Sequence, residues 1–105
     1  MLSQKRFQKV FQRINKRFFN SSLPTVPILA NPSKRVQVMM GYIEFDDNKT
    51  RSSPKIVIYT KWGKDDEILA HEMIHLNQVI HKISTRHTQE FYDLEKEILD
   101  WLKKG

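Results

Sequence analysis

Residues 71–75 read His71-Glu72-Met73-Ile74-His75. Two histidines at positions i and i+4 of a helix lie about 40° apart around its axis, on one face. Their imidazole nitrogens can converge on one Zn2+ at about 2.0–2.1 Å. Glu72 follows His71 directly, so it flanks such a metal without having to ligate it. From there it can take a proton from a water whose pKa the metal has lowered. It can then hand that proton to the leaving amine of a peptide bond. HExxH is short, and shuffling this composition produces it in roughly one chain in a hundred. Two features set this copy apart. All four histidines of the chain lie between 71 and 87, and the pattern is set among Ile68, Leu69, Met73, Leu76, Val79 and Ile80. The alternative is a pair of surface histidines with no metal. Burying both beside Glu72 without a ligand would leave polar atoms to satisfy.

A catalytic zinc usually has three protein ligands and an open position. His81 stands six residues after His75, the spacing of HExxHxxGxxH, but Gln78 occupies the place of its turning Gly. On a continuing helix His81 is rotated about 240° from His75 and points away. As a residue near a helix C-terminus it also suits the dipole there. Extending the last helix back by one turn puts His87 on the side of Phe91 and Leu94, where it can point at the HExxH helix. Glu95 and Glu97 are acidic options, although most helix carboxylates are simply solvated. The order of preference is His87, His81, Glu95. Tyr59, Tyr92 and Arg86 are candidates for a second stabiliser of a developing oxyanion.

The elements that must hold these residues are set by the pattern. Phe7, Val10, Phe11, Ile14 and Phe18 form one stripe of a first helix. Asn20 to Pro24 ends it. Val26 to Leu29 reads as a short edge strand because of Pro27, and Asn31 to Lys34 as a turn. Val36 to Phe45 reads as a strand with a bulge or bend at Gly41. Asp46 to Lys49 is a turn. Lys55 to Tyr59, β-branched and tightly bounded, is the clearest strand. An edge strand before the HExxH helix could hold an extended peptide by main-chain pairing. Asp65, Asp66 and Glu67 suit the cap and dipole of a helix from about 66 to 81. Lys82 to His87 reads as a loop. Thr88 can cap a last helix that carries Phe91, Leu94, Ile98 and Leu102 on one face, with Trp101 beside it. The predicted class is α+β: an N-terminal helix, a three-stranded antiparallel sheet, the HExxH helix and a C-terminal helix. One domain over residues 1–105 is expected.

Charge is concentrated at one end. Residues 1–20 carry Lys5, Arg6, Lys9, Arg13, Lys16 and Arg17 with no acid, and the other 85 residues hold 12 basic and 12 acidic side chains. The whole net charge of +6 therefore sits on the first helix, opposite its apolar stripe. Such a face is either simply solvated or a surface that tracks nucleic-acid phosphates. The Phe-rich stripe is of more use as core than as a membrane anchor in so small a protein.

At 105 residues with 39% apolar and 29% charged side chains, the chain has the composition of a globular domain. It contains no Cys, which excludes disulfides, Cys-based zinc ribbons, iron–sulfur clusters and thiol catalysis. No apolar run approaches the ~20 residues of a membrane span, and the basic N-terminus lacks the apolar region of a signal peptide. A cytoplasmic monomer without membrane contact is the expectation.

With these residues in view, the sequence resembles the SprT-like zinc metalloprotease domain, the family that includes the eukaryotic protease Spartan. The likeness covers roughly residues 10–100. It runs through Asn15 to Pro24, an aromatic helix end leading into Leu-Pro, and through Gly41-Tyr42 and Ile56-Val57-Ile58. It continues through Glu67 to His75 and through His87-Thr88-Gln89-Glu90-Phe91, which resembles the family's HGxxF element with Thr88 in place of Gly. The resemblance implies a zincin-like fold, Zn2+ as cofactor and His87 as third ligand. Spartan-type relatives degrade proteins crosslinked to DNA. With no Cys here to form the zinc ribbon many relatives carry, any DNA contact would fall to the first helix.

Three readings of function are open at this point. One is a zinc-dependent endopeptidase acting on protein or peptide, recruited to DNA through Lys5, Arg6, Lys9, Arg13, Lys16 and Arg17. Another is a non-catalytic, zinc-stabilised nucleic-acid-binding module, against which the intact Glu72 argues. The last is a peptidase with one partner protein and no nucleic acid.

Overall fold

The computed structural model describes residues 4–33, 39–47, 49–50, 52–83 and 86–104. Three helices and three strands are arranged in the order α1 (Gln4–Phe18), β1 (Ile28–Asn31), β2 (Gly41–Glu44), β3 (Lys55–Tyr59), α2 (Asp65–Ile80) and α3 (Gln89–Lys104), with one 3-10 turn (Thr60–Trp62) between β3 and α2. No helix among the described residues is long and apolar enough to cross a membrane.

The stripe predicted for α1 is its core face. Phe7, Phe11 and Ile14 are fully buried, and Val10 and Phe18 pack against the same cluster. The chain leaves α1 through left-handed Asn20 and Ser21. Asn15 ties down the chain beyond that turn. Its side-chain amide donates to the Leu23 carbonyl at 2.9 Å and its Oδ1 accepts the Leu23 N–H at 3.1 Å. A buried amide satisfied at both ends in this way anchors Leu23 in the core.

The sheet is mixed, which corrects the antiparallel expectation. Its order is β1-β3-β2; β1 runs parallel to β3, and β2 antiparallel to it. The physical reason lies in β3. Ile56, Val57 and Ile58 are all buried, and a strand apolar on both faces belongs in the middle of a sheet. The chain lays β1 and β2 on either side and then inserts β3 between them. The strand at 55–59 is therefore central, and the edges are β1 and β2. The first strand also begins two residues later than expected, after Pro27, whose carbonyl accepts the Ile56 N–H at 2.9 Å. Residues 34–38, which include the start of the expected second strand, lie outside the described residues.

Gly41 is not a bulge: β2 keeps an unbroken register, Gly41 opposite Ile58 through Glu44 opposite Lys55. The glycine is needed for close approach. A Cβ there would lie 2.7 Å from Ile68 Cγ2, 2.8 Å from the Val57 carbonyl oxygen and 3.4 Å from Glu72 Cγ. The Gly lets an edge strand lie directly on α2. Gly41→Ala is expected to destabilise the fold by about 1–3 kcal/mol, the usual cost of overpacking. A urea midpoint equal to wild type would show that β2 has room to move.

α2 starts without a side-chain cap. Lys64 is its N-cap residue, and Asp65, Asp66 and Glu67 fill the first turn. Their contribution is therefore to the dipole. α3 buries Phe91 and Ile98, and its far end meets α1, with Phe18 and Trp101 edge-to-face at 5.5 Å.

Candidate metal centre

His71 and His75 leave the same side of α2, both half-buried, with ring centroids 4.9 Å apart. His87 reaches them from the segment before α3, at 5.0 Å from His71 and 4.9 Å from His75. One ligand atom from each of the three lies within 4.8 Å of the others. Phe91 stands 4.8 Å from all three rings and is 2% exposed, so it forms their common packing surface. His87 is not an extension of α3. Thr88 caps that helix, its Oγ1 accepting the Phe91 N–H at 3.2 Å and its carbonyl the Tyr92 N–H at 3.1 Å. His87 thus stands just outside the cap, on backbone that need not follow the helix.

The α2 imidazoles are oriented from behind. His71 Nδ1 lies 2.6 Å from Glu95 Oε2, and His75 Nδ1 lies 2.8 Å from Gln78 Oε1. Both partners are oxygen acceptors, which places the proton of each neutral ring on Nδ1 and leaves Nε2 with its lone pair. His75 Nε2 is 2.9 Å from His87 Nε2. Nitrogens that close need a shared proton or a cation taking both lone pairs. Three imidazoles, two of them braced at the second nitrogen, form a donor set that suits zinc. Burial pushes the His75 pKa down, the neighbouring His71 and His87 add to this, and the Gln78 hydrogen bond opposes it. The balance favours the neutral form that can ligate.

Glu72 is 6% exposed. Burial pushes its carboxyl up to about 7; the His71 charge opposes this and Glu95 adds to it. Glu72 and His71 line two adjoining cavities. One, of about 370 Å³, is bounded by Met39, Met40, Gly41 and Ile68. The other, of about 400 Å³, is bounded by Tyr42, Ile43, His75 and His87. The strand beside the histidines is therefore β2, an edge strand, and not the 55–59 strand.

Other expected candidates lie elsewhere. His81 Nδ1 hydrogen-bonds the Asn77 carbonyl oxygen at 3.0 Å, at the end of α2. Glu95 braces His71 and is outside the three-histidine cluster. Tyr92 meets His87 edge-to-face at 5.9 Å, whereas Tyr59 is buried in the sheet. The six basic residues all lie on the exposed side of α1. Among the described residues, Arg6 pairs with Asp66 at 3.2 Å, and Arg13 lies 5.1 Å from the Trp101 ring centre.

The sequence model of the SprT-like family matches residues 7–104. The chain belongs to the SprT-like family. No curated protein and no solved structure matches it. The match takes in α1 from Phe7 onward, the sheet, α2 and α3 up to its last residue, and so every residue of the histidine cluster. Sequence reasoning gave no part to Gln78 or to Glu95 as braces. The Glu95 role could have been inferred, since it is four residues from Phe91 and shares its helix face. Gln78 shares the His75 face at i+3, a spacing that lets its side chain reach the imidazole.

Proposed function

We propose that this SprT-like chain is a zinc-dependent peptidase of zincin-like architecture, with His71, His75 and His87 as ligands and Glu72 as general base. The observation that carries this reading is the convergence of three imidazoles beside a buried carboxylate with a raised pKa. Bound zinc would polarise the substrate carbonyl and lower the pKa of water to about 7. Glu72, next to His71 and lining the same cavities, takes a proton from the attacking water and returns it to the leaving amine. The edge strand β2 offers main-chain groups to an extended substrate running past Glu72. The non-catalytic module is the weaker reading, because a purely structural site gains nothing from a buried carboxylate beside its ligands. The test is metal analysis of the purified protein coupled to peptide cleavage. About one zinc per chain and cleavage abolished by chelation and restored by zinc are expected; a metal-free, stable chain would sink the reading.

DNA as the surface that brings substrate is a separable proposal, supported by the acid-free exposed face of α1. Weak, sequence-independent binding that falls steeply with salt is expected. Lys9→Glu, Arg13→Glu and Lys16→Glu together should abolish it and leave zinc content unchanged. Loss of the Arg13–Trp101 contact costs only about 0.5–1 kcal/mol at an exposed site, so the fold should survive. Cleavage of a small free peptide should also survive, while any stimulation by DNA disappears. No retention on a DNA column at physiological salt would leave a peptidase that works without nucleic acid.

A further inference from the structure

We propose that Gln78 is a positioning residue that couples the second histidine of the metal centre to the segment carrying the third. The inference rests on reading His71, His75 and His87 as that centre. Gln78 is 6% exposed. Its Oε1 accepts from His75 Nδ1 at 2.8 Å, and its Nε2 donates to the Arg86 carbonyl at 3.2 Å. Arg86 immediately precedes His87. The backbone carbonyl of Gln78 also accepts the Ile83 N–H at 2.8 Å, just after the left-handed turn at Lys82. One residue therefore holds the connection between α2 and α3 near its start, through the main chain, and near its end, through the side chain.

The chemistry requires an amide. One end must accept from an imidazole N–H and the other must donate to a carbonyl, and Gln does both at this length. Glu can accept from His75 but sets an oxygen against the Arg86 carbonyl. Met fills a similar volume and makes neither bond. The Arg86 carbonyl also receives the Thr88 N–H at 3.0 Å, so it keeps a partner when Gln78 is changed. What is lost is the tie between His75 and the His87 segment. That tie matters because His87 is exposed and stands outside the cap of α3, with no helix of its own to fix it.

A double-mutant cycle with His87→Ala tests the coupling. Zn2+ affinity is measured by competition with a chromophoric chelator, and the visible spectrum of the Co2+-loaded protein reports coordination. Gln78→Glu keeps an acceptor for His75 Nδ1 but sets an oxygen against the Arg86 carbonyl. It is expected to weaken zinc binding about 10–100-fold, the usual effect of changing a group that orients a ligand. Its cobalt spectrum should shift towards that of His87→Ala. In the His87→Ala background the same change should cost little, because the segment it positions no longer brings a ligand. Gln78→Met is the second variant, should Gln78→Glu fail to fold. It also removes the acceptor behind His75, so part of its loss persists in the His87→Ala background, and a larger loss when His87 is present is required of it. Equal losses in both backgrounds would overturn the inference and reduce Gln78 to packing. Failure of the wild type to bind zinc would instead overturn the metal centre itself, so the two failures are distinguishable.

Discussion

Glu72→Gln is expected to fold, to bind zinc like the wild type and to cleave peptide about 10²–10⁴-fold more slowly, the range that loss of a general base costs. The substitution keeps the shape and removes the base. None of the three converging histidines is hydrogen-bonded through Glu72 in the contacts that orient them, which run instead through Glu95 and Gln78. Zinc content should therefore hold while turnover falls. Equal cleavage by the two proteins would remove Glu72 from the mechanism, and no cleavage by either zinc-loaded protein would leave the binding-module reading in its place.

The same variant carries a pH signature in the metal-free protein. The folded Glu72 carboxyl sits at about 7 against an ordinary value of 4.5, because burial disfavours its charge. The folded state thus holds the proton more tightly than the unfolded state. Its stabilising contribution is complete below pH 4.5 and is lost as pH rises through 7. The loss is of the order of 3 kcal/mol at about 1.36 kcal/mol per pKa unit. Metal-free Glu72→Gln should therefore gain on the wild type as pH rises over that window, then hold the gain. His75 moves stability the other way in acid, since a half-buried imidazole with a lowered pKa resists protonation, but both proteins share it and it drops out of the difference. Zinc should shrink the gap, because a nearby cation favours the carboxylate. A pH-independent difference in urea unfolding would show that Glu72 is solvated.

Much of this fold is legible in side-chain periodicity. The α1 stripe, the burial of β3 and the HExxH face all depend on spacing within one element, which a linear sequence displays directly. The sheet order was not legible. Nothing local to Ile28–Asn31 says whether it will pair parallel or antiparallel. That depends on β3 being buried on both faces, and so on every element that covers it. Gly41 illustrates the same boundary. A glycine in a strand signals either a bulge or a close approach, and only the position of Ile68 across from it decides between them. At the centre, His71 and His75 were fixed by helix geometry. The brace behind His75 lies within α2 at i+3, whereas Glu95 from α3 and the tie from Gln78 to the Arg86 carbonyl meet their partners only when α3 and the segment before it pack on α2.

His75→Ala is expected to abolish zinc binding at micromolar free metal, whereas His81→Ala should leave it unchanged. His75 has the central place in the cluster: its Nε2 meets His87 and its Nδ1 is braced by Gln78. Its removal therefore deletes a ligand and strands the third one. His87→Ala should weaken binding strongly but keep the α2 pair intact. His71→Ala should abolish binding as His75→Ala does, and it also leaves Glu95 without its partner. His81 Nδ1 is committed to the Asn77 carbonyl at the end of α2, and His81 is not among the histidines whose ligand atoms converge. Because metal binds the folded chain alone, the loss should also appear as stability. At a free zinc concentration about 1,000 times the dissociation constant, the wild type gains about 4 kcal/mol. His75→Ala should lose that increment, and added zinc should no longer raise its melting temperature. Metal analysis and thermal unfolding of the four alanine variants, with and without zinc, separate the residues. Normal zinc binding by His87→Ala together with loss in His81→Ala would overturn the ligand assignment.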